Sequence, residues 1–356
     1  MPTSVMVTGG LGYIGSHAVQ RLLRDGHDVV IIDNLFRGHR EVLELLARDA
    51  DAAKRIHFVH ADVANRAAVR EALLQHRVTT VMHFAALAYV GESVESPVGY
   101  YRNNVGGLIE LLTAMDEARR LQSSNGPAGV SRFVFSSTCA VYGDTSGADK
   151  PLAEETSLSP VSPYGRSKLM CEQLLSDEAA RLHAQGVDFA CAMLRYFNVC
   201  GCDRSGVLGE DHRPETHLIP IILEVASGKR ECLTVFGEDY ATPDGTAIRD
   251  YIHVEDLVDA HVRVMNALRN GEQRVYNVGT GQGASVREVL RAAREVTGRE
   301  IAVKIVSRRA GDAARAVADP TKIMQELAWK PSVPELREMI ASAWAWMQRH
   351  PRGYGS

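Results

Sequence analysis

The chain has 356 residues, 45% hydrophobic and 24% charged, with 40 basic against 44 acidic side chains and a formal net charge of −4. That composition excludes a disordered or fibrous protein, and the charge balance gives no electrostatic basis for binding nucleic acid. The length exceeds the roughly 250–300 residues at which a single core stops growing, so a large domain with a smaller lobe is expected. The start, Met1-Pro2-Thr3-Ser4, lacks a basic segment followed by a long apolar one, and no secretory signal is read there. No apolar stretch approaches the roughly 18 residues that span a bilayer, so no membrane partner is expected. Six cysteines (Cys139, Cys171, Cys191, Cys200, Cys202 and Cys232) form no C-x-x-C pair. Cys200-Gly201-Cys202 lacks a second pair at ligand spacing, so reduced thiols, no metal and a cytoplasmic location are expected.

In chain order, apolar runs predict strands over Val5–Thr8, Val29–Asp33, Ile56–Val59, Val78–Phe84 and Phe133–Ser137, and helical patterns fall at 12–25, 65–76, 98–121 and 164–185. This alternation predicts an α/β fold, a Rossmann-type doubly wound parallel sheet with right-handed crossovers. A sixth strand is expected over Ala190–Tyr196. Beyond it the pattern breaks into loops rich in Gly, Asp and Pro at 200–217 and 237–249. These predict a smaller α/β substrate-binding lobe, with a nucleotide-binding domain over 1–195 and the lobe over 196–356, some of whose segments return to the first domain.

Gly9-Gly10-Leu11-Gly12-Tyr13-Ile14-Gly15 follows the first strand and opens a helix. Glycines there permit a tight turn and let backbone N–H groups approach a pyrophosphate at the positive end of the helix. The second strand ends at Asp33, about 20 residues on, as this motif requires. A carboxylate at that point accepts hydrogen bonds from the adenosine ribose and repels a 2′-phosphate, which favours NAD. Arg37 and Arg40 follow closely and keep NADP as the alternative. Asp62, after the third strand, suits either the adenine end of the cofactor or a helix N-cap.

Phe133-Val134-Phe135-Ser136-Ser137-Thr138 ends a strand in hydroxyls at the sheet edge where a nicotinamide would lie. Tyr164 and Lys168 stand four residues apart on a predicted helix and therefore share a face. A nearby cation favours the phenolate, so this pairing suits Tyr164 as a base near neutral pH, with Thr138 sharing its proton. Thr138 alone would be read as satisfying local backbone.

Thr8–His17, His83–Ser93, Tyr100–Val105, Ser136–Asp144, Ser162–Lys168, Leu194–Asn198, Pro214–Pro220, Phe236–Val254 and Tyr276–Gly281 carry a resemblance that runs almost end to end. The chain resembles the extended short-chain dehydrogenases/reductases, and closely their UDP-glucose 4-epimerase family. The resemblance implies a UDP-hexose 4-epimerase that oxidises its substrate to a 4-ketone and reduces it again, with NAD retained and a homodimer as the assembly. It implies Tyr164, Lys168 and Thr138 as catalytic. It assigns Gly9, Gly12, Tyr13, Ile14, Gly15, Asp33, Asn34, Asp62, Val63, Phe84, Ala85, Ala86, Asn103 and Ser136, with Tyr164 and Lys168, to the cofactor. Arg249, Arg309 and Asn198 would hold the diphosphate, Asp312 the uridine ribose and Phe236 the uracil. Leu218 and His217 join this UDP-sugar set, the latter with a helix-capping role as its alternative. Ala88 stands where some relatives place a cofactor-contacting Lys. Ala316 stands at a position that gates the sugar pocket, and as a small residue it leaves room for a 2-acetamido group unless Arg315 folds inward.

Three rivals remain. A nucleotide-sugar 4,6-dehydratase needs acidic residues after the Thr, and this chain has Cys139 and Ala140 there. A UDP-pentose 4-epimerase shares the same chemistry. A non-catalytic NAD-binding regulator has no need of Thr138, Tyr164 and Lys168 together.

Overall fold

The computed structural model describes residues 3–122, 129–145, 150–308 and 313–355. Its strands are, in chain order, β1 (Ser4–Thr8), β2 (Asp28–Asp33), β3 (Ile56–His60), β4 (Thr80–His83), β5 (Arg132–Thr138), β6 (Ala190–Tyr196), β7 (Asn198–Cys200), β8 (Leu233–Phe236), β9 (Ile248–His253), β10 (Gln273–Val278), β11 (Gly283–Ser285), β12 (Val303–Val306) and β13 (Arg315–Ala316). The chain divides into two compact units, one of Met1–Val141, Ser162–Arg195 and Val258–Tyr276, the other of Tyr142–Val161, Tyr196–Leu257 and Asn277–Ser356.

The first unit is built on a seven-stranded sheet in the order β10-β6-β5-β4-β1-β2-β3. Pairings from β3 through β2, β1 and β4 to β5 are all parallel. Helices cover both faces of a sheet of this kind, so its strands read as continuous apolar runs. Met6, Val30, Val81, Phe133 and Cys191 are accordingly buried in one cluster with Leu108, Leu111, Leu175 and Leu182 of the flanking helices. The order 3-2-1-4-5-6 is that of dinucleotide-binding folds, which take ligands at the carboxyl ends of their strands near the point where the order reverses. Here that point lies between β1 and β4.

One predicted helix, 98–121, is three segments: an α-turn Pro97–Tyr100, a π-helix Tyr101–Gly106 and an α-helix Gly107–Gln122. Asn104 explains the interruption. Its amide is drawn inward to the Leu87 N–H (2.9 Å), the Leu87 carbonyl (3.0 Å) and the Ser167 hydroxyl (3.0 Å), and the wider turn accommodates it.

In the second unit β9 is the hub, paired parallel to β7 and β13 and antiparallel to β11, while β8 and β12 form a separate parallel pair. Ile222, Val289, Ile340 and Trp346 are buried in its core. All six cysteines are free thiols. Among the described residues no helix is long and apolar enough to cross a membrane.

Candidate active site

The glycine turn after β1 is closed by its own backbone. Gly9 adopts a left-handed φ of +68°, and a Cβ there would meet the Ala85 nitrogen at 2.8 Å. A Cβ on Gly15 would meet the Gly9 carbonyl oxygen at 2.0 Å, so no larger residue fits without opening the turn. Gly12 sits at the N-cap of the Tyr13–Arg24 helix with no side-chain cap and no acidic residue in the first turn. The Tyr13 and Ile14 end of that helix therefore presents a positive dipole beside a turn that Gly9 and Gly15 keep free of side chains.

Asp33, at the end of β2, is 7% exposed and accepts hydrogen bonds from the Leu11 N–H (3.0 Å) and the Leu35 N–H (2.8 Å). Burial pushes its carboxyl up, and the two N–H bonds oppose that shift. Arg37, which kept a 2′-phosphate open, is engaged by Glu92 at 2.9 Å and lies over the Tyr89 ring. The Asn34 amide donates to Asp62 (2.7 Å), and Val63 beside it is buried. Asp62 is not the helix cap that was its alternative: Asn65 caps the Arg66–Gln75 helix. Phe84, Ala85 and Ala86 follow β4, with the Ala85 N–H on the Thr8 hydroxyl at 3.4 Å. Asn103 lies in the π-helix and donates to Asn104 at 2.9 Å, while Ala88 is exposed. A glycine cradle, an uncapped helix start and a recessed carboxylate fit a dinucleotide.

Thr138 ends β5, and the Pro163–Ala184 helix brings Tyr164 to it. Ser162 caps that helix by accepting from the Gly165 N–H at 3.0 Å, and Pro163 sets its first turn. The Thr138 hydroxyl hydrogen-bonds Tyr164 and accepts from the Ala140 N–H at 3.1 Å, so it serves both the local backbone and the phenol. Lys168 is 2% exposed, and its Nζ donates to the Ser136 carbonyl at 2.7 Å above the Phe135 ring.

The electrostatics correct one expectation. Burial pushes the Tyr164 phenol up to about 12, against the lowering hydrogen bond from Thr138. Lys168 was expected to pull the phenol down, but its ammonium is committed to Ser136, and burial lowers Lys168 itself to about 8 against the raising influence of Cys171 and Glu172. The sequence reading also missed what lies behind Lys168. Glu172, one turn further along the helix, makes a buried ion pair with Arg195 at 2.6 Å and accepts from the Ser137 hydroxyl. Its i+4 spacing from Lys168 was the available signal.

The second unit holds the remaining candidates. Asn198 lies in β7 in register with Tyr251, and Ala316 in β13 in register with Arg249. Asn198 is thus a strand residue and not a turn residue. Arg249 and Tyr251 are two apart on β9, so Asn198, Arg249 and Ala316 project to one face, and Arg315 to the other. The Arg249 guanidinium donates to the Ile248 carbonyl at 2.8 Å. Asp250, buried and raised by that burial, accepts from the N–H groups of Thr280, Gly281 and Ala318 at 2.9–3.1 Å and so fixes the chain beside β13. Phe236 ends β8 opposite Val306 of β12. Arg309 and Asp312 lie outside the described residues. His217 occupies the N-cap of the Leu218–Ala226 helix, yet its side chain makes no capping bond and instead meets Glu215 (2.8 Å) and Glu210 (3.1 Å).

The first unit alone has the marks of a nucleotide-dependent enzyme of the short-chain dehydrogenase/reductase class: the glycine cradle, the aspartate ending β2 and the Tyr–Lys pair beside a strand-end Thr. The family model described as GDP-mannose 4,6 dehydratase matches residues 6–342. The UDP-glucose 4-epimerase of Halalkalibacterium halodurans is 42% identical, with 99% of this chain and 98% of that protein covered. The probable UDP-arabinose 4-epimerase 3 of Oryza sativa subsp. japonica is also 42% identical, covering 99% of this chain and 84% of that protein. The crystal structure of the Stenotrophomonas maltophila UDP-glucose 4-epimerase, with bound NAD and formylated UDP-arabinopyranose, matches with a TM-score of 0.89 and 41% identity over 98% of this chain and 99% of that one. The chain belongs to the UDP-glucose 4-epimerase family, inside the broader dehydratase group whose model it matches.

Proposed function

We propose that this protein interconverts UDP-galactose and UDP-glucose by transient oxidation to a 4-keto sugar, with NAD as resident cofactor. The observation that carries the reading is the Thr138–Tyr164–Lys168 set at the end of β5, in a chain 42% identical to a UDP-glucose 4-epimerase. Carbon 4 of a hexose is not acidic, so inversion there requires oxidation and return. When bound, NAD would supply a hydride acceptor and donor at carbon 4 and a positive ring charge that would favour a phenolate. The remaining work falls to the chain. Gly9, Gly12 and Gly15, with the helix start at Tyr13 and Ile14, hold the pyrophosphate. Asp33 takes the adenosine ribose; Asn34, Asp62, Val63, Phe84, Ala85, Ala86, Asn103 and Ser136 line the rest of the cofactor. Thr138 orients the 4-hydroxyl, Tyr164 removes its proton and later restores it, and Lys168 supports the charge on Tyr164. In the second unit Arg249, Arg309 and Asn198 hold the diphosphate with forked or amide donors. Asp312, Phe236, His217 and Leu218 bind the uridine side.

Cys139 and Ala140, after Thr138, offer no acid–base pair for loss of water, which separates this chain from the dehydratase chemistry of the wider group. The test is to incubate the purified protein with UDP-galactose and no added cofactor. UDP-glucose should form, and denatured fresh protein should release near-stoichiometric NAD(H). A preparation that turns over only with added NADP would overturn the reading of Asp33. Gly15→Ala should lower both retained NAD(H) and the melting temperature, because its methyl group collides with the Gly9 carbonyl.

A wider sugar range is the second reading, and Ala316 favours it. It is small, stands in register with Arg249, and Arg315 projects to the other face of its strand. A pocket rejects an acetamido group only if something fills the volume. UDP-GlcNAc and UDP-GalNAc should therefore be interconverted as well, and Ala316→Tyr should abolish that activity while sparing UDP-galactose. Failure of the wild type to turn over UDP-GlcNAc, with normal UDP-galactose activity, would refute the open gate.

For the assembly we propose a cytoplasmic homodimer. Val94, Val98 and Met170, 64%, 68% and 45% exposed on neighbouring helices of the first unit, are apolar surface that a second copy would cover. Light scattering should give twice the chain mass, and a monomer at micromolar concentration would contradict the dimer.

A further inference from the structure

Glu210, His212, Glu215 and His217, spaced E-x-H-x-x-E-x-H, converge although no step assigned above uses them as a group. One donor atom from each lies within 4.8 Å of the others. His212 Nδ1 is 3.2 Å from Glu210 and 3.5 Å from Glu215; His217 Nδ1 is 3.1 Å from Glu210 and 2.8 Å from Glu215. Glu215 turns Oε2 to His212 and Oε1 to His217, and a small spreading of these contacts would reach the roughly 3.3–3.6 Å that a tetrahedral ion with bonds of about 2.0–2.2 Å sets between neighbouring donors. The carboxylate side chains are 6% and 5% exposed, His212 15% and His217 40%. The two carboxylates together carry −2, the charge a divalent cation would cancel when it binds two neutral imidazoles beside them.

The segment that bears them is held from outside. The Gly209 N–H donates to the Tyr354 hydroxyl at 2.8 Å, that hydroxyl donates to the Gly209 carbonyl at 3.0 Å, and the Tyr354 N–H donates to Asp211 at 3.0 Å. Four donors on an anchored loop suit a site formed before its ion arrives.

We propose that Glu210, His212, Glu215 and His217 form a structural site for one divalent transition-metal ion of the zinc class. Two imidazole nitrogens and two carboxylate oxygens suit Zn²⁺ or Co²⁺, whereas Mg²⁺ and Ca²⁺ prefer all-oxygen sets. The ion would tie the loop to the first turn of the Leu218–Ala226 helix and so stiffen the segment carrying His217 and Leu218.

The test uses the full chain, stripped with a chelator and dialysed against Zn²⁺ or Co²⁺. One equivalent of Zn²⁺ per chain should remain, and bound Co²⁺ should show the visible d–d absorption of a low-coordinate nitrogen–oxygen site. His212→Gln and Glu210→Gln should each weaken binding by more than ~10²-fold, because loss of even an outer-shell partner is worth 10–100-fold. If a variant fails to fold, the wild-type cobalt spectrum still decides. Retention of less than a tenth of an equivalent by wild type with no d–d absorption, or equal retention by well-folded His212→Gln, would overturn the proposal. The readout is metal content and spectrum, so it is independent of whether the protein acts on UDP-sugars.

Discussion

Tyr164→Phe is expected to cut turnover of UDP-galactose by ~10²–10⁴-fold, the usual worth of a positioned acid–base group. The fold should survive. The ring keeps its edge contact with Tyr100, whose centroid is 6.5 Å away, and Thr138 keeps its bond from the Ala140 N–H. The lost phenol hydrogen bond is worth only about 0.5–1.5 kcal/mol. Circular dichroism and retained NAD(H) should match wild type, so the defect would be chemical. Wild-type turnover in this variant would remove Tyr164 from the mechanism. The raised phenol makes a second result expected. In cofactor-stripped protein Tyr164 should not ionise until the pH nears 12, and NAD should bring its titration down. A wild-type minus Tyr164→Phe ultraviolet difference spectrum reads this directly.

Lys168→Met should be nearly as damaging to turnover, and should move the pH optimum upward, because the phenolate that forms in the NAD-loaded site would lose the buried cation one turn along its helix, although that cation does not lower the phenol in the cofactor-free site. Its effect on stability runs the other way. Lys168 has an ordinary value of 10.5 when unfolded and about 8 when buried. Between those values the unfolded chain holds a proton that the folded chain has lost, so wild-type stability rises with pH across that window. The contribution is fully present above 10.5 and lost as pH falls through 8. At pH 7 the charged ammonium is therefore a net cost, so the Met variant should melt no lower than wild type. Its relative stability should decline as pH is raised from 8 towards 10.5. A variant that melts far lower at pH 7 and gains on wild type with rising pH would show that the Ser136 and Glu172 contacts outweigh burial.

The parts of the site set by local backbone were legible in the sequence. The turn at Gly9 and Gly15 tolerates no Cβ, so the glycines had to be there, and β2 had to end at Asp33 for its carboxylate to meet the Leu11 N–H. Ala190–Tyr196 was expected as a strand and is β6. Long-range pairing was less legible. Nothing near Arg249 in the chain announces that Ala316 will lie beside it, or that Asn198 will pair along the same strand, because register is fixed by packing between segments far apart in sequence. The π-helix at Tyr101–Gly106 followed the same rule: Asn104 reaches Leu87 and Ser167, which no local periodicity records. The Arg40–Leu46 and Ala50–Arg55 helices are too short to display a 3.6-residue pattern. The phenol of Tyr164 went astray for a related reason. Spacing brought Lys168 to the same helix face, but the side chain turned to the Ser136 carbonyl, and burial then governed both groups.

The central claim is that one hydride leaves carbon 4 and returns to it without exchanging with solvent. UDP-galactose deuterated at carbon 4, incubated with purified protein and no added cofactor, tests it by proton and deuterium NMR of the product. The account predicts UDP-glucose with the deuterium retained at carbon 4. UDP-glucose in which that deuterium has been replaced by solvent hydrogen would contradict it, as would the absence of UDP-glucose from protein that carries its NAD.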